Sequence, residues 1–201
     1  MAEAAAARSA LEGLLRQGRH GKADGAPGVS LAELHGVALA SVMARKGKAA
    51  QASEAAKRSF GVDLPETPRR AEGKGIEFLW AGPGQWLALS RDGLSAGELE
   101  ARLAPVFAGL ASVAEQSDGR TVLRIAGPKA RDVLAKGLPI DLHPRVFRPG
   151  DAALTVAALI GVQIWQVDEL PSYELAVFRG FARSFWHFLT ESAAEYGCEI
   201  S

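Results

Sequence analysis

Between Val37 and Gln116, short apolar runs of strand length and stretches of helical period follow one another in a fixed order. Val37 to Ala44 reads as a strand, and Lys46 to Phe60 as an alanine-rich helix stopped by Gly61. Ile76 to Trp80 and Gln85 to Ser90 read as two strands joined by the turn Gly82-Pro83-Gly84. Ser95 to Glu98 fits a capping box, in which Ser caps the helix and Glu reaches back. Leu99, Leu103, Val106, Phe107 and Leu110 then share one helical face, which Pro105 should bend or shorten because it lacks a backbone donor. Ala111 to Gln116 closes the unit as a strand. Strand, helix, strand, strand, helix, strand is the split βαβ, or ferredoxin-like, arrangement.

The order partly repeats. Arg120 to Ala126 is a strand, Gly127-Pro128 opens a helix that Gly137 closes, and Ala153 to Leu159, Val162 to Val167 and Tyr173 to Phe178 read as three more strands. Ala182 to Tyr196 is a final helix, with Phe185, Phe188, Leu189 and Tyr196 facing inward and Gly197 as its C-cap. The expected fold class is α+β: two related βαβ-type halves, about 31–117 and 118–201, around mostly antiparallel sheet, with an N-terminal arm over 1–30.

Composition says where the core should be dense. The chain has 201 residues and 37 alanines, and its 23 basic and 23 acidic side chains cancel. The cancellation is not uniform. Residues 1–75 hold 12 Lys/Arg against 8 Asp/Glu, and residues 76–201 hold 11 against 15. Phe60 is the only aromatic before residue 76, and the other 13 follow it. Aromatics bury large areas, so the heavier core is expected in the acidic second part. Zero net charge argues against a general nucleic-acid binder and gives little colloidal repulsion to a lone monomer. The N-terminus carries Glu3 where a signal peptide needs positive charge, and the longest apolar run, Ala152 to Val162, is shorter than the ~20 residues a membrane helix requires. A soluble, cytoplasmic chain is therefore expected.

Ser9 to Glu12 fits another capping box, followed by Leu11, Leu14 and Leu15 at helical spacing. Gly18, Gly21, Gly25, Pro27 and Gly28 then form a flexible basic linker. A two-turn helix isolated by such a linker is unstable alone, so it needs a surface to lie on. Either it packs on its own domain, or Leu11, Leu14, Leu15 and Arg16 form an interface with a partner.

Motifs for chemistry are weak. Gly21-Lys22, Gly47-Lys48 and Gly73-Lys74 lack the remaining residues of a phosphate-binding loop. His20, His35, His143 and His187 are scattered without metal-ligand spacing, and Cys198 is alone. Gly93-Leu94-Ser95-Ala96-Gly97 matches the nucleophile elbow G-x-S-x-G, and Asp141 or Asp168 with His187 keeps the order of a serine hydrolase triad. Against that, Arg91 and Asp92 lengthen the turn, no oxyanion loop lies upstream, and Ser95 is explained as a cap. Asp168-Glu169 before Pro171 reads as a solvated turn. Trp80, Trp86, Trp165 and Trp186 have the shape to stack a flavin, folate or pterin, or to fill core and interface. No residue is assigned a catalytic, cofactor-binding or metal-binding role.

The stretch from Ser117 to Val167, with Leu123 to Leu134, Leu138 to Leu142 and Phe147 to Gly150 as its motifs, resembles the first domain of the folate-binding aminomethyltransferase (glycine cleavage T protein) superfamily. Adding the strand-helix around Arg45-Lys46-Gly47-Lys48, the segment Phe78 to Ser90, and the N-terminal arm, the chain is similar to the gamma-subunit family of heterotetrameric sarcosine oxidases. The resemblance implies membership of a complex that oxidatively demethylates sarcosine to glycine, with the one-carbon unit passed to tetrahydrofolate. It implies alpha, beta and delta subunits as partners. FAD, FMN, NAD, tetrahydrofolate and zinc are expected in those subunits and none in this chain. The chain lacks the K-G-C-x-x-G-Q type signature of folate-dependent repair relatives, so no folate ligand is carried over. The alternatives are a stand-alone folate or pterin binder and, more weakly, a hydrolase using Ser95.

Overall fold

Side chains alternate across the strands so that three separate apolar clusters form, and these clusters define four layers. The computed structural model describes residues 9–201. The first half gives β3 (Ala38–Ala44), α1 (Ala49–Phe60), β4 (Arg70–Gly73), β5 (Ile76–Gly82), β6 (Gln85–Ser90), α2 (Glu98–Leu103) and β7 (Ala111–Glu115). Ahead of it run β1 (Gly18–His20) and β2 (Val29–Leu34). The second half gives β8 (Arg120–Ala126), α3 (Ala130–Ala135), β9 (Ala152–Ala157), β10 (Ile160–Asp168), β11 (Ser172–Phe178), α4 (Ala182–Ala193) and β12 (Cys198–Ile200).

The smaller sheet has the order β4-β5-β6-β3-β7. Without β4 this is the ferredoxin-like order predicted from the alternation, with β3 antiparallel to both β6 and β7. The larger sheet has the order β1-β12-β2-β8-β11-β10-β9. It follows the same rule with one insertion: β2, from the N-terminal side, lies between β8 and β12 and runs parallel to β12.

On β3, Ala38, Ala40 and Val42 face α1 and α2, and Leu39 faces the other sheet. On β8, Leu123 and Ile125 face α3 and α4, and Val122 faces the smaller sheet. The order of layers is therefore helices, small sheet, large sheet, helices. Leu39, Leu79, Leu87, Leu89, Val122, Trp165 and Ala176 fill the middle.

Several expectations need correction. Ser9 to Leu15 is a single turn, not a two-turn helix: Leu14 and Leu15 both donate to the Leu11 carbonyl, and Gly13 at φ 77° turns the chain away from helical geometry. Leu11 is fully buried in the outer cluster of the larger sheet. The glycine-rich stretch after it is ordered too. β1 pairs with β12, Lys22 N–H donates to Ala194 O at 2.8 Å, and a Cβ on Gly21 would collide with the backbone of Ala194. That glycine serves close approach as well as flexibility. The expected arm-to-domain boundary at residue 30 falls inside β2. The first long helix starts at Ala49, not Lys46, and α2 stops at Leu103, two residues before Pro105. The strand expected over Ala153 to Leu159 ends at Ala157, because Ala158 and Leu159 form the hairpin turn with φ of 47° and 69°. Positive φ at both central residues is the two-residue turn that matches strand twist.

Candidate functional site

The rungs of the β8–β11 ladder set the chemistry of the space between the sheets. On the face turned to the smaller sheet, Arg124 lies opposite Glu174, Val122 opposite Ala176, and Arg120 opposite Phe178. The middle rung belongs to the apolar layer. The two outer rungs are charged and are treated very differently.

At the Glu174 end the charges are paired. Glu174 is 2% exposed and accepts from Arg91 Nη2 at 2.5 Å, and Arg91 Nε donates to Glu77 at 2.9 Å. Glu77 also accepts from Arg70 at 3.0 Å. Arg91 follows β6, so this network ties the two sheets together. Burial by itself would lower the pKa of Arg91, but Glu174 and Glu77 outweigh it and the net shift is upward. Beside the network, Gln163 Nε2 donates to Trp80 O at 2.8 Å. The carboxylates at this end are thus each paired with a guanidinium, as buried charges require, although Arg70 Nε and Trp165 Nε1 are buried without an acceptor.

At the Arg120 end the layer opens. A cleft of about 700 Å³ is lined by Leu34, Leu39 and Val122 from the sheets, Val37 from the connection between β2 and β3, Leu94 and Ser95 from the approach to α2, and the charged Asp118, Arg120 and Arg179. Its apolar wall is continuous with the middle cluster. Glu33 sits at one side, 8% exposed, and is fully engaged: Ser9 Oγ and Ala10 N–H donate to it from the N-terminal turn, and Thr121 Oγ1 donates at 2.9 Å. Arg120 is not engaged. Its Nε is buried without an acceptor, and no carboxylate among the described residues pairs with it. Its guanidinium lies 4.2 Å from the ring centre of Phe178, a cation–π contact, and burial alone pulls its pKa down. Phe178 is 48% exposed, and Phe181, in the 3-10 turn Arg179–Phe181, is 53% exposed.

The other sequence candidates fall elsewhere. Ser95 lines the cleft, and its N–H donates to Glu98 at 2.6 Å, which holds that carboxyl below the usual range. His187 lines a separate depression with Leu14, Arg16 and Trp186, Asp168 pairs with Arg124 at 3.7 Å, and Asp141 accepts from His143 N–H. Ser95 and His187 are therefore not brought together. Trp86, Trp165 and Trp186 are buried in three different clusters, and Trp80 is half-buried. Trp86 Nε1 donates to Pro65 O, so its ring is fixed in the core. Cys198 is buried on β12, and burial pushes its thiol pKa up. Of the proposed arm residues, Leu11 faces inward, Leu14 and Leu15 are half-buried, and Arg16 is exposed. Sequence reasoning missed Arg120. The only signal was a charged residue on the inward alternation of β8, and telling it from a solvated edge needed the sheet order.

Two βαββαβ halves with facing sheets define the fold class. The glycine cleavage system aminomethyltransferase T from Bartonella henselae shares that fold, with a TM-score of 0.59 at 17% identity over 86% of this chain and 47% of that one. A chain of the heterotetrameric sarcosine oxidase from Corynebacterium sp. U-96, solved in complex with pyrrole 2-carboxylate, is more similar: TM-score 0.76 and 28% identity, covering 88% of each chain. The family model described as the sarcosine oxidase, gamma subunit family matches residues 46–195. The sarcosine oxidase subunit gamma of an Arthrobacter species is 35% identical over 193 residues, 94% of this chain and 91% of that one. That of Corynebacterium sp. strain P-1 is 33% identical over 144 residues, 70% and 69% of the two chains. The chain belongs to the sarcosine oxidase gamma subunit family.

Proposed function

We propose that this chain is the gamma subunit of a heterotetrameric sarcosine oxidase and serves its assembly and stability. The observation that carries the proposal is the similarity over nearly the full length to a chain of such a heterotetramer, 88% of both chains at a TM-score of 0.76. In this reading alpha, beta and delta subunits are its partners, and the complex is cytoplasmic. FAD, FMN, NAD, tetrahydrofolate and zinc reside in those subunits. The complex demethylates sarcosine oxidatively to glycine and passes the one-carbon unit to tetrahydrofolate. The position of the candidate residues supports a role without its own active site: Ser95 and His187 line different depressions, and the buried tryptophans are committed to core packing; Ser95 does not cap α2 through its hydroxyl, the N-cap being Gly97.

The test is to purify the full chain with whatever accompanies it. Two larger flavin-containing subunits, a small zinc-binding subunit and sarcosine-dependent oxidase activity are the expected result. Purification as a lone, monodisperse protein would overturn the proposal. For the arm, the proposed contact rests on Leu14, Leu15 and Arg16. Deleting the whole arm would also remove Leu11 from the core and β1 from the sheet, so Arg16→Glu is the cleaner probe. It should reduce retention of this chain in the complex without changing its own melting temperature.

A further inference from the structure

We propose that the open end of the space between the sheets is a docking surface, where a carboxylate side chain of a partner subunit pairs with Arg120 while the partner's surface covers Phe178 and Phe181. The proposal rests on the reading of this chain as a subunit of a larger complex and adds where, and to what chemistry, it binds.

Three observations point to that occupant. The first is the unmet charge. A guanidinium has five N–H donors in a fixed fork suited to a carboxylate; the Nε of Arg120 is buried without an acceptor, and no carboxylate of the described residues pairs with it. The other buried charge in the cleft, Glu33, is already satisfied by three donors and does not compensate it. The second is the pair of exposed rings. Phe178 and Phe181 are 48% and 53% exposed, and Phe178 holds the guanidinium from one face. Neither ring lines the cleft itself; they adjoin it through Arg120, which does, and aromatic side chains with an arginine are the composition of an interface hot spot. The third is the shape. Of the cleft's apolar wall, Leu34 and Val37 continue the middle cluster to the surface and Leu94 packs on the helix-side cluster of the smaller sheet, so a covering partner would extend existing cores. A small free carboxylate would pair with the arginine and leave both rings in water. A single pair of that kind, open to solvent, is worth little. A protein partner meets all three features at once.

The comparison with the opposite end of the same ladder strengthens the assignment. There the facing sheet supplies Arg91 to Glu174. Here no residue of the facing sheet supplies an anion to Arg120, and the cleft leaves room for one from outside.

The experiment uses the complex co-expressed from all its subunits and captured through a tag on a partner. Wild type, Arg120→Met, Arg120→Lys and Phe178→Ala chains are compared for retention as salt is raised, and each isolated chain is melted as a folding control. Arg120→Met should weaken binding at least ~30-fold and flatten its salt dependence, because the partner's carboxylate is left buried and unpaired. Arg120→Lys should recover part of the loss, and Phe178→Ala should weaken binding with the salt dependence kept. Retention of Arg120→Met equal to wild type at every salt concentration would overturn the docking surface while leaving the subunit reading intact. Failure of the wild-type chain to co-purify would overturn both. A rise in the melting temperature of the isolated wild type with millimolar acetate, absent in Arg120→Met, would replace the protein partner with a small-anion site and also overturn the proposal.

Discussion

Arg91 and Arg120 lie at opposite ends of the space between the sheets, and they show two ways to keep a cation near a core. Arg91 is held by two carboxylates, at 2.5 Å and 2.9 Å, one of which is itself buried. Arg120 is held by a ring at 4.2 Å and by no carboxylate of the described residues. The first pair closes the molecule on itself. The second leaves charge and aromatic surface available at the other end. A subunit needs both: an end that fixes its two sheets relative to one another, and an end that is finished only by what it binds.

The difference can be broken at the closed end first. Arg91→Met leaves Glu174, 2% exposed, without its partner, and should cost about 3 kcal/mol, discounted because Arg91 itself is 38% exposed. Calorimetry on the isolated chain should show a melting temperature lowered by about 6–12 °C. Arg91→Met with Glu174→Leu should cost clearly less than Arg91→Met alone, since no buried charge is then stranded. At the open end, Glu33→Gln weakens the acceptance from Ser9, Ala10 and Thr121 and should cost about 1–2 kcal/mol, with faster amide exchange across residues 9–15. Near the same end of the sheet, Leu159 is 96% exposed at φ 69°, so Leu159→Gly should stabilise the isolated chain by about 1 kcal/mol. Arg120→Met should give the smallest change, between zero and about 1 kcal/mol of stabilisation, because it removes a half-buried cation that no carboxylate compensates. A loss comparable to that of Arg91→Met would erase the contrast between the two ends.

The first half was legible in the sequence because its principal strands are short apolar runs of strand length bounded by turn residues, and its helices carry a clear period. Leu39 and Leu79 mark the inward face, Ala40 and Phe78 the outward one. The missed strands lack that signal. β4 reads Arg-Ala-Glu-Gly, β12 has three residues, and β2 carries Glu33 next to its last apolar residue. The turn at Ser9 was misread because a capping pattern says where a helix can begin but not how soon a glycine ends it; Gly13 ends this one within a turn. The charged ends of the ladder were not legible at all. Arg91 and Glu174 are 83 residues apart and meet only because two separately built sheets face each other. The overall resemblance was legible for a different reason: the order of short motifs persists along the chain even where each is degenerate.

One consequence concerns synthesis. The smaller sheet uses residues 38–115 of the strands and can close as soon as that stretch has left the ribosome. The larger sheet cannot, because β2, made near the start, lies between β8 and β12, and β12 ends at Ile200. Until β12 emerges, β2 has an unpaired edge and the cluster around Leu11 lacks Cys198 and Ile200. Long-range pairing of this kind is slow, and unfinished edges invite association. The nascent chain therefore carries an open strand edge from the making of β2 until that of β12, and removing Cys198 to Ile200 from the finished protein would return it to that state.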